Sequence, residues 1–162
     1  MNIYEAFFSE LNKAKIKYLV VGGLAVNFHG YLRATADIDV LLSLKKDNLK
    51  KMNELMTKLG YSPRLPVDVK ELSNKKQLKE WMQNKNLKAY TYNPPKEAIL
   101  QIDIVIEESL NFDEIYTRKM IKEINKTQIY IVSLEDLIKM KKRAGREKDL
   151  LDLKVLLDLR KE

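Results

Sequence analysis

Residues 18 to 42, Tyr18-Leu-Val-Val-Gly22-Gly23-Leu-Ala-Val-Asn-Phe-His29-Gly30-Tyr-Leu-Arg33-Ala-Thr35-Ala-Asp37-Ile-Asp39-Val-Leu-Leu42, decide the fold. The stretch opens on a short β-branched run, Tyr18 to Val21, which Gly22 and Gly23 stop. Leu24 to Phe28 is helix-compatible and ends at Gly30, and Ala36 to Leu42 then alternates as a strand does. Side chains two apart on a strand share a face, so Asp37 and Asp39 point one way and Ile38 and Val40 the other. Two carboxylates side by side on an apolar strand repel, and burial raises the pKa of one of them. A divalent cation removes the conflict, and magnesium is commonly held by one or two carboxylates plus substrate phosphates. The glycine pair supplies the other half of such a site, because a strand, two glycines and a helix start let backbone N–H groups approach an anion closely.

Around this stretch, 162 residues read as one domain, 1–162, with a core over about 1–133 and C-terminal helices over 134–160. Apolar content of 45% and charged content of 33% are those of an ordinary soluble protein. No apolar run reaches the roughly 18 residues of a membrane span. The start, Met-Asn-Ile-Tyr-Glu-Ala, lacks the basic and apolar regions of a signal peptide. The absence of cysteine excludes disulfides and thiolate metal sites, and the expected location is cytoplasmic.

The net charge of +7 is uneven. Residues 1–43 carry four basic and four acidic side chains, and residues 89–162 carry fourteen of each. Residues 44–88 carry twelve basic and five acidic, so the excess lies there. This is a candidate surface for RNA, a nucleotide or an acidic partner; a solvated lysine face is the plain alternative, since lysine outnumbers arginine 24 to 6.

Ile3, Ala6, Phe7, Leu11 and Ala14 make a helical stripe over 3–14. Asp47 to Leu59 reads as a helix that Gly60 stops. Pro63 and Pro66 interrupt the chain, and short helices are expected over 67–72 and 75–83. Trp81 is a candidate for stacking on a base, against the commoner role of packing. Residues 87–92 and 98–106 read as strands joined by a turn at Asn93 to Glu97. Asp103 interrupts an apolar strand and should therefore have a partner. Tyr90 and Tyr92 are candidates for lining the same cleft. A helix over 112–118 and strands over 120–124 and 128–132 follow. Ser133-Leu-Glu-Asp136 has the form of a capping box, and Lys141 falls on the apolar face of the helix it starts. Gly145 ends that helix, and the last one, leucine-rich, must pack on the rest or on another copy of the chain, which makes a homo-oligomer possible.

The glycine pair, Arg33-Ala-Thr-Ala-Asp37-Ile-Asp39-Val and Gln101-Ile-Asp103-Ile together resemble the active site of the DNA polymerase beta-like nucleotidyltransferase superfamily. Leu134 to Lys141 and Arg146 to Asp152 are similar to the C-terminal motif of its minimal prokaryotic branch, which includes nucleotidyltransferase toxins of abortive-infection and toxin–antitoxin systems. The resemblance covers roughly residues 18 to 157. It implies an α/β (α+β) nucleotidyltransferase fold: a small mixed sheet, flanking helices, and a helical C-terminal segment closing the cleft. It also implies transfer of a nucleoside monophosphate from a nucleoside triphosphate to a hydroxyl of RNA, a protein or a small molecule. Asp37, Asp39 and Asp103 would hold two Mg2+ ions, or Mn2+, and Asp103 would help deprotonate the acceptor hydroxyl. Gly22, Gly23, Arg33, Thr35, Lys141, Arg146 and Lys148 would meet the nucleotide phosphates, with Asp149 and Asp152 orienting the bases. An antitoxin protein is an implied partner.

Two other readings stay open. One is a non-catalytic nucleotide- or protein-binding module of the same fold. The other is an RNA-binding domain that uses residues 44–88 and needs no magnesium. His29, the one histidine, reads as a surface or packing residue.

Overall fold

A computed structural model describes residues 2–162. The chain runs α1 (Ile3–Lys13), β1 (Tyr18–Val21), α2 (Gly22–Phe28), β2 (Asp37–Leu42), α3 (Lys46–Lys58) and β3 (Ser62–Pro63), then a 3-10 turn (Val69–Ser73). It continues α4 (Lys75–Asn84), β4 (Ala89–Asn93), β5 (Gln101–Val105), α5 (Phe112–Thr117), β6 (Met120–Ile124), β7 (Thr127–Ile131), α6 (Leu134–Ala144) and α7 (Glu147–Arg160). Seven strands form one mixed sheet in the order β3-β4-β5-β2-β1-β7-β6. The pairs β2–β5 and β1–β7 are parallel, and the rest are antiparallel.

The alternation in β2 and β5 sorts the two faces. Ile38, Val40, Ile102 and Ile104 are fully buried, with Tyr90 and Tyr92 on the same side. α1 and α3 cover that side: Phe8 of α1 stacks on Tyr18 at 5.6 Å, and Asn53 of α3 accepts a hydrogen bond from the Tyr92 hydroxyl. Burying a side chain of this size stabilises the fold by about 1.5–3 kcal/mol, so this face is the core. The other face carries Asp37, Asp39 and Asp103, each only partly covered.

The expected elements are present with shifts at their ends. The helix expected from Leu24 begins two residues earlier, so the glycine pair that stops β1 forms the first turn of α2. The expected helix at 67–72 is a 3-10 turn instead, because Pro66 removes a donor and Asp68 caps Lys70 N–H two residues on. The short edge strand β3 escapes a sequence reading, since Pro63 argues against a strand except at an edge. Ser133 accepts from Asp136 N–H at the start of α6, and Gly145 ends it in the left-handed conformation, φ +62°. No helix among the described residues is long and apolar enough to cross a membrane.

Candidate active site

Asp39 and Asp103 face each other in register on the parallel strands β2 and β5. Asp37 lies two residues along β2 on the same face, opposite Gln101. All three carboxylates line one cleft of about 530 Å³, which they share with Glu107 and with Lys88, Arg143, Arg146 and Lys148. The junction of α6 and α7, residues 143–148, forms the far wall of this cleft, so the C-terminal helices close it.

The electrostatics follow from that crowding. Burial first, and then the neighbouring Asp103 and Asp37 carboxylates, push the Asp39 carboxyl up to about 7. Asp37 is raised in the same direction by burial and by Asp103, while Lys148 and Arg64 oppose the shift. Among the described residues no three acidic or imidazole groups already converge as a closed metal cage. The donor set is instead a facing pair, Asp39 and Asp103, with Asp37 at the rim. Hard oxygen donors in a pair that resists double ionisation suit a divalent cation that keeps water or phosphate ligands of its own. The backbone makes room for the Asp39 carboxyl group itself. A Cβ on Gly22 would stand 2.9 Å from the Asp39 carboxyl carbon, and Gly22 sits at φ +65°. Only glycine meets both demands.

Asp103 is held by two side chains that sequence reasoning missed. Thr91 Oγ1 donates to Asp103 Oδ1 at 2.6 Å, and Gln101 Nε2 donates to both Asp103 oxygens at 3.1 and 3.2 Å. Gln101 is itself held through its Oε1 by Arg64 at 2.6 Å, and Arg64 also donates to Asn93. Gln101 was recoverable as the same-face neighbour of Asp103 at i−2. Thr91 needed the β4–β5 register, which sets it opposite Asp103. Tyr90 and Tyr92 do not join the carboxylates as expected. The pleat turns them into the opposite, buried face, where Tyr90 donates to Val67 C=O.

The remaining candidates divide. Lys148 and Arg146 line the carboxylate cleft. Gly23 faces away from Asp39: a Cβ there would lie 2.9 Å from Arg33 Nη2 and 3.0 Å from Thr35 Oγ1. Arg33 reaches Asp152 at 3.0 Å, and Lys141 sits between Asp149 at 3.1 Å and Asp152 at 3.0 Å. Arg146 closes the chain of charges on Asp149 at 2.7 Å. Lys141 is only 7% exposed and does not line the cleft. Its place on the apolar face of α6 brings it to the α6–α7 interface rather than to the carboxylates. His29 ends α2, with Nε2 2.8 Å from Val132 C=O, and burial lowers its pKa.

A family described as "Nucleotidyltransferase of unknown function (DUF6036)" matches residues 4–157. No curated protein matches the chain in sequence. Among solved structures, the lincosamide antibiotic adenylyltransferase LnuA, lincomycin-bound, superposes with a TM-score of 0.60 at 16% identity over 98% of this chain and 98% of its own. ANT(2")-Ia in complex with adenylyl-2"-tobramycin gives a TM-score of 0.58 at 12% identity over 95% of this chain and 84% of its own. A putative nucleotidyltransferase from Thermotoga maritima gives 0.58 at 15% identity over 96% and 91%. At these identities the likeness is one of fold.

Proposed function

The chain belongs to a nucleotidyltransferase family, DUF6036, and from that premise we propose that it transfers a nucleoside monophosphate from a nucleoside triphosphate to an acceptor hydroxyl. The observation that carries the reading is the facing pair Asp39 and Asp103 beside the bare backbone of Gly22. Asp37, Asp39 and Asp103 would hold magnesium, two ions in the full complement, or manganese. Bound there, the metal would supply charge on the attacking and leaving oxygens of an in-line displacement.

The chain's own groups do the rest. Asp103 takes the proton of the acceptor hydroxyl. Thr91 and Gln101 hold its oxygens in place by hydrogen bonds, so that little reorganisation is needed. The acceptor oxygen bonds to the α-phosphorus, the bond from that phosphorus to the bridging oxygen breaks, and pyrophosphate leaves. Lys148 and Arg146 in the cleft wall offset the charge of the triphosphate and of the departing pyrophosphate. LnuA, an adenylyltransferase bound to lincomycin, gives precedent on this fold for a small-molecule acceptor. A toxin of a toxin–antitoxin pair would direct the same step at RNA or protein.

Pyrophosphate release, measured with magnesium and each nucleoside triphosphate across small-molecule, RNA and protein acceptors, tests the proposal. Activity that survives in full in Asp103→Asn sinks the assignment. A second reading, a nucleotide-binding module without transfer, draws on the engagement of Arg33 and Lys141 by Asp152 and Asp149. Calorimetry separates the two: a module binds magnesium and nucleotide but releases no pyrophosphate.

A further inference from the structure

A second cleft, of about 460 Å³, lies at the edge of the sheet beyond β4. Its walls are apolar: Leu65, Val67, Leu72, Trp81, Leu87 and Tyr90. Its charged lining is of one sign, Arg64, Lys85 and Lys88, and no carboxylate lines it among the described residues. Burial, and after it the nearby Asp68 carboxylate, raise the pKa of the Tyr90 phenol, but Asp68 caps the 3-10 turn, pairs with Lys70 and does not line the cleft. The size falls in the range of small-molecule sites, which are mostly apolar with a few placed polar groups.

This cleft touches the carboxylate site directly. Lys88 and Ala89 line both. Thr91 lines it and donates to Asp103, and Arg64 lines it and holds Gln101, which holds Asp103. β3 pairs with β4 at Tyr92 and Asn93, and Arg64 N–H bonds to Thr91 C=O just beyond it, so among the described residues the open edge of β4 is its start, at Ala89. Antiparallel alternation, with Ile106 N–H bonded to Lys88 C=O, turns the Ala89 backbone polar groups toward that edge.

The geometry points to this cleft as the acceptor site, shaped for a small molecule with a flat apolar body, a negative charge and a hydroxyl that reaches Asp103. The inference rests on the transferase reading above. Trp81 stacks on the flat body, while Lys85 and Lys88 meet the negative group. The hydroxyl gives its proton to Asp103, its oxygen bonds to the α-phosphorus of the nucleoside triphosphate, and pyrophosphate carries off the electron pair of the broken P–O bond. A polycationic acceptor is disfavoured here by like charge. An RNA strand would need a basic groove tracking its backbone, whereas this cleft is a short one of about 460 Å³ with mostly apolar walls.

Trp81 is the single tryptophan, so its emission reports occupancy of the cleft. The probe is 6-hydroxynaphthalene-2-sulfonate, titrated into the full chain without nucleotide. Saturable quenching is expected, weakened at least tenfold by Lys85→Glu with Lys88→Glu, with tobramycin and an RNA oligonucleotide failing to displace the probe. No saturable quenching, equal quenching in the charge-reversed variant, or displacement by tobramycin or RNA overturns the inference. Manganese then links the two sites: it should broaden the proton resonances of the bound probe, and Asp39→Asn should abolish the broadening. Free manganese is followed separately by electron paramagnetic resonance. If manganese binds and the probe is not broadened, the acceptor assignment falls while the transferase reading stands. If manganese does not bind at all, the transferase reading falls, and the acceptor role falls with it.

Discussion

Gly22 lies so close against the Asp39 side chain that a Cβ at residue 22 would be 3.0 Å from the Asp39 Cβ and closer still to its carboxyl group. The glycine and the aspartate are adjacent because Val21 and Asp39 pair across β1 and β2. Gly22→Ala therefore meets two penalties. A left-handed backbone, φ +65°, costs an L-residue about 1–2 kcal/mol, and the methyl group forces Asp39 to move. Urea unfolding should show a loss of at least that size, and manganese affinity should fall further than in a distant glycine variant such as Gly60→Ala. Unchanged manganese binding would show that Asp39 does not need this space.

The pH dependence of stability should run against the usual trend for a carboxylate. The folded-state pKa of Asp39, about 7, lies above the unfolded value of about 3.9. Between these values the folded chain binds more protons than the unfolded one, so stability falls as pH rises. Thermal unfolding in metal-free buffer should show the melting temperature dropping between about pH 4 and pH 7. Asp39→Asn should flatten that slope. Magnesium or manganese at pH 7 to 8 should restore stability by offsetting the paired charges.

Lys141 and Lys148 both carry positive charge near α7, but they should fail differently. Lys141 neutralises two carboxylates that are 1% and 4% exposed. Lys141→Met removes the cation that both share and leaves Asp149 to Arg146 and Asp152 to Arg33 alone; losing a buried hydrogen bond to a charged group costs about 1.5–3 kcal/mol, visible in chemical denaturation. Burial opposes ionisation of Asp149, yet hydrogen bonds from Arg146 and Lys141 hold its carboxyl below the usual range. The stability from that network is present above the unfolded carboxylate pKa and is lost as pH falls through the lowered value. Lys148→Met should barely alter stability and should weaken nucleoside triphosphate binding. The opposite pattern would exchange their roles.

Thr91 should matter through Asp103 and not through packing. Thr91→Val keeps the shape and removes a hydrogen bond to a charged group, an interaction of about 1.5–3 kcal/mol. Pyrophosphate release should fall by about one to two orders of magnitude, since Asp103 loses one of the two side chains that hold its oxygens. Thr91→Ser, which keeps the hydroxyl, should recover most of the rate. Equal rates in the valine and serine variants would make Thr91 a structural residue only.

Much of the carboxylate face was legible before any coordinates. A period of two is a local property, so Asp37 and Asp39 on one side and Ile38 and Val40 on the other follow from the order of residues alone. The lone Asp103 in an apolar strand, the glycine pair, the Ser133 cap and the Gly145 stop are likewise signals that each segment carries in itself. So is the mixture of strand and helix patterns, whereas the α/β sheet with a helical C-terminal segment is what the resemblance to a family implies.

What tertiary structure alone decided is which segments meet. Only the parallel pairing of β2 and β5 sets Asp39 opposite Asp103, and a slip of one residue would turn the aspartate to the other face. The same dependence on register hid Thr91 and turned Tyr90 and Tyr92 into the core. Lys141 shows the limit most clearly. Its helical position declared that it faces inward, but whether inward meant phosphate or a pair of carboxylates depended on how α7 folds back against α6. Sequence order determines the faces of each element, because side-chain direction is set by local backbone geometry; the partners across those faces come from long-range packing, which no single segment encodes.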